Sequence, residues 1–366
     1  MHVAYNLLHL VPGETGGAEV YARRLLPALR EVDVELEMTL FLGSPAANED
    51  WGEGVEVVPL RFDPRSRVRR VLAEQTLLPG AVRRANPDLL HNLFNTAPAL
   101  RTVPQVTTIH DVVHRRQRET GIRALGVKAL VPLSARRSTR ILTVSEASKS
   151  DIVRFMNVPA ERVDVAPNGP GMSETNQGPP PAEIRRRFAV DGAPLVLTVA
   201  PNRPHKNIPR LVKALAQIPG AVLIVAGYNT AEDKLEGVAD RLDVRERLRR
   251  LGWVDEETLD GLYRAADCFV FPSLAEGFGL PVLEAMLRGV PVACSNTTSL
   301  PEVAGDAALF FDPLDVDAIA VSIRRILEDT ELADRLRVAG LERARRFTWA
   351  EAARRTLACY GKALER

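Results

Sequence analysis

With 366 residues, 46% of them hydrophobic, the chain exceeds the roughly 250 to 300 residues at which a single core stops growing, so two domains are expected. Its 48 basic and 47 acidic residues leave a formal charge of +1, which offers no overall attraction to nucleic acid or anionic lipid. Three widely spaced cysteines, Cys268, Cys294 and Cys359, favour free thiols in a reducing compartment, and their spacing matches no zinc site. Residues 1–11 are apolar but lack a basic leader, so they read as a first buried strand and not as a signal peptide, and the protein is expected in the cytoplasm. No stretch approaches the roughly 18 uncharged apolar residues of a spanning helix, which leaves peripheral membrane contact at most.

Strand-like runs follow in order at Val3–Leu10, Glu35–Leu42, Val55–Pro59, Leu89–His91, Gln105–His110 and Ile141–Val144. Amphipathic stretches separate them, the first starting near Gly17 with Ala18, Tyr21, Leu25 and Leu29 at helical spacing. Nearly continuous apolar strands alternating with helices predict a parallel sheet covered on both faces. The densest punctuation, Pro167-Asn168-Gly169-Pro170-Gly171 and then Gly178-Pro179-Pro180-Pro181, marks a boundary. The first domain is therefore expected over residues 1–168.

A second alternation begins with strand Leu195–Ala200, helix Ile208–Gln217, strand Ala221–Ala226 and helix Thr230–Leu242. A short strand Leu248–Leu251, helix Glu256–Ala266, strand Cys268–Pro272, helix Pro281–Arg288 and strand Val292–Cys294 continue it. Helices close the chain at Pro313–Glu328, Thr330–Arg346 and Trp349–Leu364. The second domain is expected over residues 169–346, with residues 347–366 packing back on the first. Two parallel-sheet domains of similar size predict ligands held at the carboxyl ends of the strands, in a cleft.

Two segments at strand ends carry the chemistry. Glu276-Gly277-Phe278-Gly279-Leu280-Pro281-Val282-Leu283-Glu284 follows a strand and supplies two glycines, then a first-turn proline. Such a loop entering a helix suits an anion or a hydroxyl-rich ligand, and Glu276 and Glu284 can accept hydrogen bonds from hydroxyls. Pro201-Asn202-Arg203-Pro204-His205-Lys206-Asn207 places two cations at the preceding strand end, suited to a diphosphate. In the first half, Gly16-Gly17 can bring amides close to a ligand, with Glu19 bracing the first helical turn. Thr108-Ile109-His110-Asp111 ends a strand and puts His110 at the sheet's ligand edge, with His114, Arg115, Arg116 and Arg118 just beyond.

The Glu, seven residues, Glu arrangement resembles the hallmark of the retaining glycosyltransferases of family 4, which have the GT-B fold of two Rossmann-like α/β domains. The resemblance extends over essentially the whole chain. It implies that Glu276 faces the transferred hexose and Glu284 grips the nucleotide ribose, with Gly277, Phe278, Gly279 and Leu280 contacting the sugar. It further implies diphosphate contacts from Lys206 and Arg203, the latter standing where the family's first lysine is usual. His110 is expected against the hexose, and Gly16 and Gly17 near the donor. Gly252, Trp253 and Val254 are expected beside the base, and Thr298 and Ser299 before the phosphates or ribose. Ser145 caps the helix after its strand.

The resemblance is to bacterial mannosyltransferases of surface polysaccharide assembly, and implies GDP-mannose as donor, UDP- or dTDP-sugars being the alternatives. The acceptor is a glycan or a lipid-linked glycan, transfer proceeds by front-face substitution without a glycosyl-enzyme, and no other cofactor is implied. Because arginine, lysine and amides serve the phosphates, no Asp-x-Asp pair is read as a metal clamp and metal independence is expected. The other readings are a noncatalytic partner subunit with the same fold, or a sugar-nucleotide 2-epimerase, which would need an acid and base pair around the hexose C2. Finally, Arg61, Arg65, Arg67, Arg69 and Arg70 surround the single Asp63, a basic run that fits the inner, anionic face of a membrane or a solvated surface.

Overall fold

The computed structural model describes residues 1–113, 122–172, 178–227 and 235–365. It contains two compact units, Met1–Gly171 together with Thr348–Arg366, and Met172–Phe347.

In the first unit seven parallel strands stand in the order β3-β2-β1-β4-β5-β6-β7. They are β1 (His2–Asn6), β2 (Glu37–Gly43), β3 (Val55–Leu60), β4 (Leu89–Asn92), β5 (Gln105–Thr108), β6 (Arg140–Thr143) and β7 (Val163–Val165). Central strands are buried throughout, as a sheet covered on both faces requires. Register is fixed by pairs such as Tyr5 with Leu40 on one side and with His91 on the other. Helix Gly17–Val32 buries Tyr21, Leu25 and Leu29, and helix Trp349–Leu364 packs beside it. The apolar run expected through Leu10 leaves the sheet after Asn6, where Leu7 N bonds Phe41 O and Leu10 N returns to Leu7 O. Leu7, Leu8 and Leu10 are still fully buried, so their hydrophobicity belongs to a packed turn and not to more strand.

The second unit has six parallel strands in the order β10-β9-β8-β11-β12-β13. They are β8 (Leu195–Val199), β9 (Val222–Ala226), β10 (Leu248–Gly252), β11 (Cys268–Phe271), β12 (Val292–Ser295) and β13 (Ala308–Phe311). β7 and β13, edge strands of three and four residues, have no counterpart among the expected runs. The helix expected from Pro313 starts at Val316, because Asp315 is its N-cap and accepts from the amides of Asp317 and Ala318. The basic run also changes character: Ser66 caps a helix Arg67–Ala85, so Arg67, Arg69 and Arg70 occupy a first helical turn without an acid. No described helix is long and apolar enough to cross a membrane.

Candidate functional site

In the second unit, the loops after β8, β11 and β12 meet. The loop after β8 ends in a short 3₁₀ turn, Pro204–Lys206, and Asn207 then adopts a left-handed conformation with φ of 59°. Asn207 is buried and donates from Nδ2 to the carbonyls of Pro272 (3.0 Å) and Pro313 (2.7 Å), pinning this loop to the one after β11. Lys206 Nζ consequently lies 2.6 Å from Glu276 Oε1 and 5.1 Å from the Phe271 ring centroid. Both members of that pair are mostly covered, so their attraction is less screened than at an open surface. Arg203 is exposed, and its guanidinium forms no hydrogen bond or ion pair with the described residues.

The Glu276 loop is shaped from its flank. Glu276 N donates to Thr298 Oγ1 (3.0 Å), and the Ser299 hydroxyl lies between the carbonyls of Phe278 (2.8 Å) and Glu276 (3.1 Å). Phe278 is buried edge-on against Phe347. Gly279 N-caps helix Leu280–Leu287 at a φ of 113°, and a Cβ there would stand 2.7 Å from Leu300 Cδ2. The positive φ favours glycine, and any larger residue would also make the Leu300 side chain shift. Gly277 is also buried. Ser273, at the start of the loop, has a buried Oγ with no hydrogen-bond partner among the described residues.

Glu284, one turn into that helix, is only 7% exposed. Tyr263 OH donates to its Oε2 at 3.0 Å, and Arg288 donates to its backbone carbonyl while pairing with the buried Asp260 at 2.7 Å. Burial pushes the Glu284 carboxyl up to about 7, against the opposing pull of the Tyr263 hydroxyl and the Arg288 guanidinium. The solvated helix face that an arbitrary glutamate would occupy is thus not where this one sits. Gly252 ends β10, three strands from β11, and Trp253 and Val254 follow it. Gly252 has a φ of 66° and accepts from Gly227 N, while Trp253 is 66% exposed.

In the first unit, His110 follows β5. Its backbone N donates to Asn95 Oδ1 at 2.8 Å and its Nε2 lies 2.9 Å from the Leu93 carbonyl. A carbonyl only accepts, so Nε2 carries the proton. Burial lowers the imidazole pKa, the ring is neutral, and Nδ1 is left as an acceptor. Tyr21 packs edge-on at 4.7 Å between ring centroids. Asp111 accepts from Val113 N and shapes its own loop. Gly16 N-caps the first helix with φ 65° and ψ −137°, a conformation that only glycine holds easily, whereas neither Gly16 nor Gly17 has a heavy atom within 4 Å of an added Cβ. Glu19 accepts from Gly13 N and Arg23 Nε, bracing that turn. Ser145 caps its helix by accepting from Ser148 N.

The expected residues therefore fall into separate groups. Lys206, Glu276, Phe278, Gly279, Thr298 and Ser299 are brought together, with Glu284 behind them and the Gly252 segment apart; His110 and the Gly16 loop belong to the first unit. His114, Arg115, Arg116 and Arg118 lie outside the described residues. Asn207, Tyr263, Asp260 and Arg288 were not expected in the site. Asn207 was legible in the Pro-His-Lys-Asn run, but nothing local in the sequence joins Tyr263 to Glu284. One tripeptide, Asp315-Val316-Asp317, has Asp-x-Asp spacing. Its first carboxylate caps a helix and its second accepts from Gln217 at 2.6 Å, so both are occupied structurally. Among the described residues no group of three or more His, Cys, Asp or Glu could hold a metal ion.

Residues 181–343 match the family model "Glycosyl transferases group 1" and residues 15–170 match "Glycosyltransferase Family 4". The chain is 39% identical over 227 residues to O-antigen chain mannosyltransferase B of Escherichia coli, a match that spans 60% of each chain. It is 28% identical to O-antigen chain mannosyltransferase RfbU of Salmonella typhimurium over 88% of this chain and 90% of that one. Among solved structures, sucrose-phosphate synthase of Thermosynechococcus elongatus superposes with a TM-score of 0.81 at 22% identity, covering 99% of this chain and 98% of that chain. Anabaena HepE in complex with UDP and glucose gives 0.80 at 22% identity, with 99% of each chain covered.

Proposed function

We propose that this chain, a GT-B-fold relative of bacterial mannosyltransferases and of glycosyltransferase family 4, transfers mannose with retention from GDP-mannose to a hydroxyl of a glycan or lipid-linked glycan. The observation that carries the reading is the junction of the β8 and β11 loops, where a covered cation and a carboxylate stand 2.6 Å apart beside a glycine-capped helix. One group suits a diphosphate and the other a sugar hydroxyl, and they are adjacent as phosphate and hexose are adjacent in a sugar nucleotide. The names of the relatives support mannose as the sugar.

In this reading the donor diphosphate takes Lys206 away from Glu276, and the exposed Arg203 closes on the distal phosphate. Glu276 then accepts from hexose hydroxyls, and the buried Glu284 accepts from the ribose. Trp253 covers the base, with Gly252 and Val254 beside it. His110 offers Nδ1 to a hexose hydroxyl. The bond to the leaving phosphate loosens toward an oxocarbenium-like state while fixed cations and amides match the developing charge, each well-placed donor contributing roughly 3 to 4 kcal/mol. Diphosphate charge is met without a divalent ion. The acceptor hydroxyl attacks from the same face, and the departing phosphate oxygen takes its proton.

A lipid-linked acceptor is supported by helix Arg67–Ala85, where Val68 and Leu72 are exposed beside Arg65, Arg67 and Arg69. Apolar side chains among cations fit an anionic bilayer face. The deciding experiment is a thermal-stabilisation series with GDP-mannose, UDP-glucose and a dTDP-sugar, followed by NMR of the product's anomeric configuration. GDP-mannose should stabilise most and give an α-mannoside. An inverted product, or no transfer from any donor, overturns the reading.

A further inference from the structure

A cavity of about 340 Å³ lies wholly within the first unit, walled by His9, Thr15, Arg65, Arg70, Asn95 and His110 among others. Behind it stands a carboxylate with no exposed surface, Glu74, on helix Arg67–Ala85. Its Oε1 accepts from Asn6 Nδ2 (3.0 Å) and Thr96 Oγ1 (2.9 Å), and its Oε2 from Gln75 Nε2 (3.4 Å). A fully buried acid with this many donors aimed at it costs desolvation free energy, and the fold retains it at the back of a cavity.

The hydrogens fix what the cavity presents. Thr96 has one hydroxyl proton, and it is donated to Glu74 Oε1. Thr96 Oγ1 therefore accepts from His9 Nε2, which lies 3.1 Å away. The His9 ring is stacked on Phe94 with an interplanar angle of 10°, which holds its plane. Burial and the neighbouring Arg70 and Arg67 push its pKa down to about 3, so the ring is neutral and Nδ1 has a lone pair and no proton. No described residue donates to that nitrogen. His110, on the same cavity, has its Nε2 spent on Leu93 in the same way.

We propose that His9 is a specificity-determining residue for the acceptor: its Nδ1 accepts a hydrogen bond from a saccharide hydroxyl in this cavity, and Glu74 positions the ring through Thr96. The proposal rests on the transferase reading for the identity of the saccharide as acceptor. The remaining nitrogen of His9 only accepts and the arginines only donate, a combination that matches hydroxyl groups, which do both. A free anion meets the arginines favourably but is repelled by the His9 lone pair.

The test uses the full chain labelled with ¹⁵N at histidine, with methyl α-mannopyranoside as probe. Wild-type His9 should show the Nε2–H tautomer, and the glycoside should move its Nδ1 resonance. Thr96→Val, which keeps shape and removes the bridging oxygen, should abolish the tautomer preference and weaken glycoside binding at least fivefold, while the backbone amide spectrum verifies folding. Thr96→Ser should restore both. In transfer assays from GDP-mannose, the Val variant should raise the acceptor KM at least fivefold with the donor KM unchanged. A wild-type Nδ1–H tautomer overturns the proposal. So does undiminished glycoside binding by Thr96→Val, or a His9 resonance that answers to inorganic phosphate and not to the glycoside. Absence of transfer by the wild type would refute the transferase reading alone, since the NMR titration decides the role of His9 without turnover.

Discussion

Replacing Glu284 by Gln separates what this carboxylate costs the fold from what it does for a ligand. Its pKa is raised from 4.5 to about 7, and at 1.36 kcal/mol per unit the displacement amounts to ~3 kcal/mol. A raised carboxyl keeps its proton in the native state where the unfolded chain has already lost it. The stabilisation is therefore fully present below pH 4.5 and is lost as pH rises through about 7. Gln cannot titrate, yet it can still accept from the Tyr263 hydroxyl. Urea unfolding of wild type and Glu284→Gln, compared between pH 5 and pH 8, should show the difference in their stabilities shifting by ~2.5 kcal/mol in favour of the variant at the higher pH, since part of the effect is already lost at pH 5. GDP titrations should move the other way. Only the ionised carboxylate accepts from two ribose hydroxyls, so wild-type affinity relative to the variant should grow as pH passes about 7. Parallel stability profiles would refute the buried-charge argument, and a variant that binds GDP like wild type at pH 8 would remove the ribose assignment.

Three more outcomes are expected. Lys206→Ala and Glu276→Ala should each lower the single-turnover transfer rate at least tenfold, about 1.4 kcal/mol, in folded protein; near wild-type rates in both would dissolve the proposed donor site. Activity should survive excess EDTA, and loss with specific recovery in Mg²⁺ or Mn²⁺ would show that the diphosphate needs a metal. Changing Arg65, Arg67, Arg69 and Arg70 together to Gln should weaken flotation with anionic liposomes by up to roughly 1 kcal/mol per charge, with the effect fading in salt. Because Arg65 already pairs with Glu14 and Arg70 donates to the Pro64 carbonyl, the loss should fall short of four full contributions.

The strands and the loops that follow them were legible because their signals are local. Apolar runs such as Leu195–Val199 and Cys268–Phe271 are buried on both faces, and glycine and proline mark where the chain leaves the sheet. The Lys206 and Glu276 segments could be read for the same reason, each being a short motif at a strand end. What stayed hidden was long-range. Glu74 reads as one more acid on a basic helix, and only the fold sets it against Asn6 and Thr96, at separations of 68 and 22 residues. His9 appeared as part of an apolar run because its neighbours are leucines. The short edge strands lacked the length to be seen, and Asp315-Val316-Asp317 shows the converse, a suggestive spacing used for a helix cap.

The first unit is discontinuous in sequence, and this bears on how the protein is made. Residues 172–347 interrupt it, and the two crossing points are stitched side by side: Trp349 Nε1 donates to the Pro170 carbonyl at 2.7 Å, and a Cβ at Gly169 would collide with Trp349 at 2.6 Å. Helix Trp349–Leu364, which packs against helix Gly17–Val32 and sends Tyr360 to His91 at 2.6 Å, is synthesised only after residues 172–347. During synthesis the later-encoded unit is thus complete first. The earlier-encoded one waits with an uncovered flank, its His91 held by Thr108 but not yet by Tyr360, while residues 172–347 are made. That interval is when a holdase would find its substrate, and a stop codon before residue 349 should send otherwise intact sequence into aggregates while residues 172–347 still fold.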